Sequence, residues 1–165
     1  MREQYSAVSR SCLVVRVLLK DVELSARALG LQVHALSAST ESDIDSAFAT
    51  IVQQQMGALL VGAGPLLLSR RKQIATLAAR HAVPAIYSSR RSVTVAGLMS
   101  YASSQTDVHR QIGIYTGKIL KGAKPVDLPI LQPTKFELAI SVNAAKALGL
   151  TIPQSILLRA NELIE

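Results

Sequence analysis

The chain has 165 residues, a net charge of +7 and 49% apolar residues, which is enough to bury the core of one ordinary domain and too hydrophobic for a disordered segment. The apolar share comes from Ala, Leu, Val and Ile, with no Trp and only 4% aromatic residues, a profile that suits buried parallel strands under Ala/Leu helices. Cys12 is the only cysteine, so an internal disulfide and a cysteine-based zinc site are both excluded; it reads as a small buried or fraying apolar residue.

Residues 1–20 (MREQYSAVSRSCLVVRVLLK) place basic residues before a short apolar stretch that Arg16 interrupts, and no small-x-small cleavage site follows. That makes a poor signal peptide. It is no lipoprotein signal either, because the apolar run follows Cys12. Nothing in the chain reaches the ~20 apolar residues that span a bilayer, so the sequence as written is expected in the cytoplasm. The positive charge is unevenly placed: residues 69–124 hold ten Lys/Arg (among them Arg70, Arg71, Arg90 and Arg91) against one acid, Asp107. No aromatic stacking set or nucleic-acid motif accompanies this block. It reads as a solvated face or a surface made to abut something else, and no nucleic-acid partner is expected.

Strand and helix then alternate. Val22, Ala26 and Leu29 share a helical face that Gly30 is placed to end, and residues 31–36 (LQVHAL) alternate as a short strand. Ser39, Thr40 or Ser42 caps the next helix, with Glu41, Asp43 and Asp45 near its positive end and Ile44, Ala47, Phe48, Ile51 and Val52 on its apolar face. Residues 58–61 (ALLV) form a buried strand that opens into Gly62, Ala63, Gly64 and Pro65. A helix capped by Ser69 follows, carrying Ile74, Leu77, Ala78 and His81, and then a strand over 85–87 ending in Ser88, Ser89, Arg90 and Arg91. Residues 97–101 (GLMSY) predict a further strand. Thr106 caps the last long helix, with Val108, Ile112, Tyr115 and Ile119 inward and Gly122 closing it. Residues 125–133 are extended, 136–140 (FELAI) form a strand, and 141–148 form a short helix stopped by Gly149; Pro153 suits a first helical turn. The αβαβαβ order over residues 22–87 predicts an α/β fold, a Rossmann-like parallel sheet with right-handed crossovers and helices on both faces.

Catalytic constellations are missing. There is no G-x-S-x-G elbow, phosphate loop or His-containing metal spacing, and His34, His81 and His109 stand apart. In the Gly62-Ala63-Gly64 run, Leu67 holds the third glycine's place of a dinucleotide fingerprint and Pro65 removes an amide. No enzyme, cofactor or metal is therefore expected. The pattern does predict a cleft beyond the carboxyl ends of the strands, offering Ser37 and Ser39, Gly62, Ala63 and Gly64, Ser88 and Ser89, with Tyr87 and Tyr101 beside them. Those hydroxyls, amides and guanidinium groups suit a small polar or anionic solute. Ordinary capping serines and turn glycines are the plain alternative for the same loops.

The runs 53–87 (QQQMGALLVGAGPLLLSRRKQIATLAARHAVPAIY) and 96–165, above all ILKGAKP, DLP, QPTKFEL and AKALGLTIP within residues 119–152, resemble ABC-transporter substrate-binding proteins. The resemblance implies a type I periplasmic-binding fold, two Rossmann-like lobes closing on a solute, in proteins about twice this long. It implies further that residues 1–21 are an atypical N-terminal segment and that 22–104 form the second lobe. Residues 105–165 would be a crossover helix and a return segment that packs on an N-terminal lobe missing here. The first strand of the second lobe would also be missing, unless residues 13–19 (LVVRVLL) substitute for it. A truncated clamp would expose apolar surface on residues 136–140 and 142–148, so a homodimer or higher oligomer is expected. By the same resemblance the expected partners are a weakly bound amino-acid-like solute and an ABC permease, in the periplasm. Gly64 and Ser88 stand where relatives often carry acids, which weakens an amino-acid assignment. An effector domain of a transcriptional regulator and a Rossmann-like nucleotide-binding enzyme are the alternatives.

Overall fold

In a computed structural model, which describes residues 4–8 and 13–165, the strands β1 (Gln4–Val8), β2 (Gln32–Leu36), β3 (Ala58–Val61), β4 (Ala85–Tyr87) and β5 (Met99–Ser103) run parallel. Two more, β6 (Phe136–Ser141) and β7 (Glu162–Ile164), extend the same sheet, so that the described residues give seven strands in the order β2-β1-β3-β4-β5-β6-β7. β6 is antiparallel to β5, and β7 is parallel to β6. Cys12 lies outside the described residues.

Between the strands come α1 (Leu13–Ala28), α2 (Glu41–Gln53), α3 (Pro65–Ser69), α4 (Arg71–Arg80) and α5 (Arg90–Val93). Residues 13–19 therefore open helix α1 and do not form a strand. The first strand is β1, whose tyrosine-containing QYSAV stretch has no long apolar run to announce it. The sheet order steps one way from β1 to β2 and the other way from β2 through β5. Right-handed crossovers therefore put α1 on one face and α2, α4 and α5 on the other.

The second face carries the main core. Leu59, Val61, Ala85 and Tyr87 point from the sheet into Ile44, Phe48 and Ile51 of α2 and Ile74 and Ala78 of α4, all buried. Removing each large side chain from water contributes about 1.5–3 kcal/mol. α2 starts at a capping box: Thr40 Oγ1 accepts from the Asp43 N–H at 3.2 Å, and the Asp43 carboxylate accepts from the Thr40 and Ser39 N–H groups at 2.9 and 2.8 Å. Ser69 ends α3 instead of capping α4, its hydroxyl donating to the Leu66 carbonyl at 2.8 Å. Proline at the first position of α3 draws that short helix forward, and the one expected helix becomes two.

After β5 the chain leaves the sheet. α6 (Gln105–Leu120) is capped by Ser104, not Thr106, and none of its residues is buried. Ile112 and Ile119, expected to face inward, are exposed. Its apolar face therefore meets no core among the described residues. Gly122 ends it at φ +98°, a conformation in which glycine carries no Cβ penalty. The excursion returns at residue 135, where the Ser104 N–H donates to the Lys135 carbonyl at 2.9 Å and Lys135 Nζ sits 3.2 Å from Asp107. β6 then enters the sheet with Ala139 and Ile140 buried, and α7 (Val142–Ala147) buries Ala145. The expected bare surface on 136–140 and 142–148 is thus largely covered by β5, β7 and α5. Exposed apolar residues are concentrated in the excursion, from Ile112 to Leu131, while others such as Leu24, Leu29, Phe136 and Leu158 are scattered along the rest of the described chain.

Candidate functional site

The carboxyl ends of β3, β4 and β5 face the amino ends of β6 and β7, because β6 runs against β5. A cavity of about 910 Å³ opens there. Its lining comes from the loop after β3 (Ala63, Gly64, Pro65), the loop after β4 (Ser88, Ser89, Arg90, Arg91), the start of α6 (Gln105, Thr106, His109) and the starts of β6 and β7 (Glu137, Asn161, Glu162). The strand register explains why these side chains meet. Ser100 pairs with Ala139 and Ala102 with Glu137, while Ala139 pairs with Glu162, so all five lie on one face of the pleat.

Arg90 makes a bidentate ion pair with Glu162 that ties α5 to β7 across the cavity. Hydrogen bonds from Arg90 hold the Glu162 carboxyl below the usual carboxylate range. The same hydrogen bonds and charge raise the Arg90 guanidinium, and Glu137 adds to that effect. Asn161 fixes the neighbouring backbone, its Oδ1 accepting from the Leu138 N–H and its own N–H donating to the Leu138 carbonyl, both at 2.8 Å. Ser89 caps α5 through its hydroxyl, which accepts the Arg91 N–H at 3.3 Å.

Of the residues expected to bind, Ala63, Gly64, Ser88 and Ser89 come together in this cavity. Gly62 lies just behind it with Ser92 and Leu67. Tyr87 is only 2% exposed, part of the core, and its hydroxyl is buried without a partner among the described residues; burial raises its pKa. Tyr101 sits on the opposite face of the sheet, stacked on Phe136 with ring centroids 5.6 Å apart. Ser37 and Ser39 are exposed at the end of β2 and do not line the cavity.

Sequence reasoning missed the side of the cavity supplied by β6 and β7. Glu137 was visible in principle as the lone acid of an alternating strand, sharing its face with Ala139. Glu162 was not, since β7 is three residues long and carries no pattern.

The family described as ABC transporter substrate binding protein matches residues 6–164. The chain belongs to this family. Comparison with curated proteins finds no match. Among solved structures the chain is similar to the ABC domain from Streptococcus pneumonia in complex with L-Trp, at 25% identity and a TM-score of 0.88, with 98% of this chain and 56% of that one covered. It is also similar to a conserved domain protein from Vibrio cholerae, at 22% identity and a TM-score of 0.89, covering 98% and 54%. A third is a ligand-free, open substrate binding protein with adhesive properties from Clostridium difficile, at 17% identity and a TM-score of 0.71, covering 98% and 54%. The chain spans just over half the length of these relatives. Among the described residues no helix is long and apolar enough to cross a membrane.

Proposed function

We propose that this chain is one jaw of a solute-binding clamp of an ABC importer, acting without catalysis outside the cytoplasmic membrane and delivering a small amino-acid-like solute to a permease. The observation that carries the reading is the 910 Å³ cavity at the carboxyl end of the sheet, rimmed by Ser88, Ser89, Arg91, Gln105, Thr106 and Glu137. Hydroxyls, an amide side chain and charges of both signs are the groups that orient a small polar ligand. The relative crystallised with L-Trp supports the same solute class. A cavity open on one side holds its ligand weakly until something closes over it.

The excursion over residues 105–135 is the second half of the proposal. It exposes Ile112, Ile114, Leu120, Val126, Ile130 and Leu131, a concentration of apolar surface that single domains rarely leave bare. In this reading it packs on a complementary lobe or, in the chain by itself, on a second copy, giving a homodimer or higher oligomer. Two-dimensional amide NMR of the full chain, titrated with the common amino acids into the high millimolar range, tests the solute reading. Saturable shifts at residues 88–91 and 137–139 support it; shifts that stay flat for every amino acid, or that scatter over the surface without saturating, overturn it.

A further inference from the structure

A second hollow, of about 380 Å³, shares no lining residue with the solute cavity. α5 walls both: Arg90 and Arg91 at its start line the cavity, while Val93 and the following Thr94 line the hollow. The hollow exists because alanines face alanines. Ala75, Ala78 and Ala79 recur at helical spacing on α4, and Ala144 and Ala147 do so on α7. Each wall presents single methyl groups where Leu or Ile would fill the gap. Protein interiors hold few voids larger than a water molecule, and this one has more than twice the volume of about 150 Å³ that takes a benzene ring. Glu165 is the only charged side chain in its lining. Tyr87 also lines it; the residue is 2% exposed, and its hydroxyl has no hydrogen-bond partner among the described residues. Gly97 seats the ring, because a Cβ there would lie 2.8 Å from Tyr87 Cε2 and 2.6 Å from the Ser92 carbonyl oxygen. A buried hydroxyl left unpaired destabilises the fold, and a ligand that meets it recovers the loss.

We propose that this hollow is a second ligand site, separate from the solute cavity, for an uncharged molecule the size of one or two fused rings that carries a hydroxyl or carbonyl to pair with Tyr87. Charged ligands are disfavoured. An anion meets the Glu165 carboxylate, and any ion loses hydration against methyl-lined walls that return no hydrogen bonds. A folded partner is too large, since one helical turn, about 10 Å wide and 5.4 Å high, already exceeds the volume. The site stands whether or not the solute cavity binds amino acids.

The test titrates the full chain with phenol and with toluene, two rings of one shape that differ in the hydroxyl, and follows the amide NMR spectrum. Both should give saturable shifts centred on Ala79, Thr94, Ala144 and Ala147. Ala144→Leu, which puts a branched side chain into the hollow from a half-buried position, should weaken both probes about tenfold or more, the worth of one lost ring contact. Ala147→Leu, at an exposed position, repeats the block should the first variant unfold. Tyr87→Phe removes only the hydroxyl. It should keep or raise the melting temperature and lower the phenol-to-toluene affinity ratio about three- to tenfold, the size of one neutral hydrogen bond. Flat titrations with both probes up to their solubility overturn the site. Binding that survives the leucine variants overturns its location. A ratio that Tyr87→Phe does not move, or a lower melting temperature in that variant, overturns the role of the hydroxyl.

Discussion

Ile51 and Ile130 are the same residue in opposite circumstances: Ile51 is 0% exposed, between α2 and the sheet, and Ile130 is 98% exposed, in the excursion beyond α6. The regions around them differ in the same way. Along α2 the apolar positions recur on one face and meet Leu59, Val61 and Ile74. Along α6 Val108, Ile112, Tyr115 and Ile119 also recur on one face, yet Ile112 and Ile119 are exposed, and the excursion is held to the sheet at its neck by the Ser104–Lys135 and Asp107–Lys135 contacts. Amphipathic pattern therefore reports that a helix is built to be covered. It does not report whether the cover belongs to the same chain.

The largest expected effect separates the two regions directly. Ile51→Ala removes packing on every side of a filled core position and is expected to cost about 2–5 kcal/mol. Ile130→Ala leaves no cavity and should change the stability of the isolated fold by less than about 0.5 kcal/mol. Chemical denaturation of the two variants checks the contrast. Equal losses would mean that the excursion is already packed on something in solution.

That outcome leads to the next measurement. If copies of the chain cover each other's excursions, sedimentation should show species larger than the 17.6 kDa of one chain. The double change Ile114→Ser and Ile130→Ser should then weaken association by about tenfold or more, since each lost large apolar contact is worth about 1.5–3 kcal/mol. A wild-type chain that sediments as a monomer at high concentration would remove self-association and leave a separate lobe as the cover.

How much of this was legible beforehand follows the same division. The segments where strand and helix patterns alternate over a buried face were readable: β2, α2, β3 and β4 match the expected boundaries within a residue or two, and Ile44, Ala47, Phe48 and Ile51 are buried at the 0, 3, 4, 7 spacing, while Val52, expected on the same face, is exposed at the edge of the helix–sheet contact. The antiparallel entry of β6 was not, because FELAI alternates identically in either direction and only its pairing with β5 sets the sense. The cavity was half legible for that reason. Gly64, Ser88 and Ser89 follow from the rule that ligands sit beyond strand carboxyl ends. Glu137 and Glu162 arrive from amino ends, where that rule does not look. Tyr87 and Tyr101 lie on neighbouring strands and miss the cavity for different reasons: Tyr87 shares the pleat face of Ser100 but is sealed in the core, and Tyr101 points to the opposite face, on Phe136. Burial decides the first and pleat direction the second.

The smallest effect concerns the cap that lets α2 begin where it does. Thr40→Ala removes the acceptor for the Asp43 N–H and should cost about 1 kcal/mol, the usual value of an N-cap hydroxyl. The reciprocal half of the box titrates. Hydrogen bonds from the Ser39 N–H, then the Thr40 N–H and the Thr40 hydroxyl, hold the Asp43 carboxyl below its ordinary value. A depressed carboxyl stabilises the fold above its unfolded pKa of about 3.9, and the contribution is lost as pH falls through the lower folded value. The difference in melting temperature between the wild-type chain and Asp43→Asn should therefore be constant above pH ~5 and shrink as the solution is acidified below pH ~4. Because Asp43 is exposed, added salt should reduce the charge-dependent part of that difference while the hydrogen-bonded part persists.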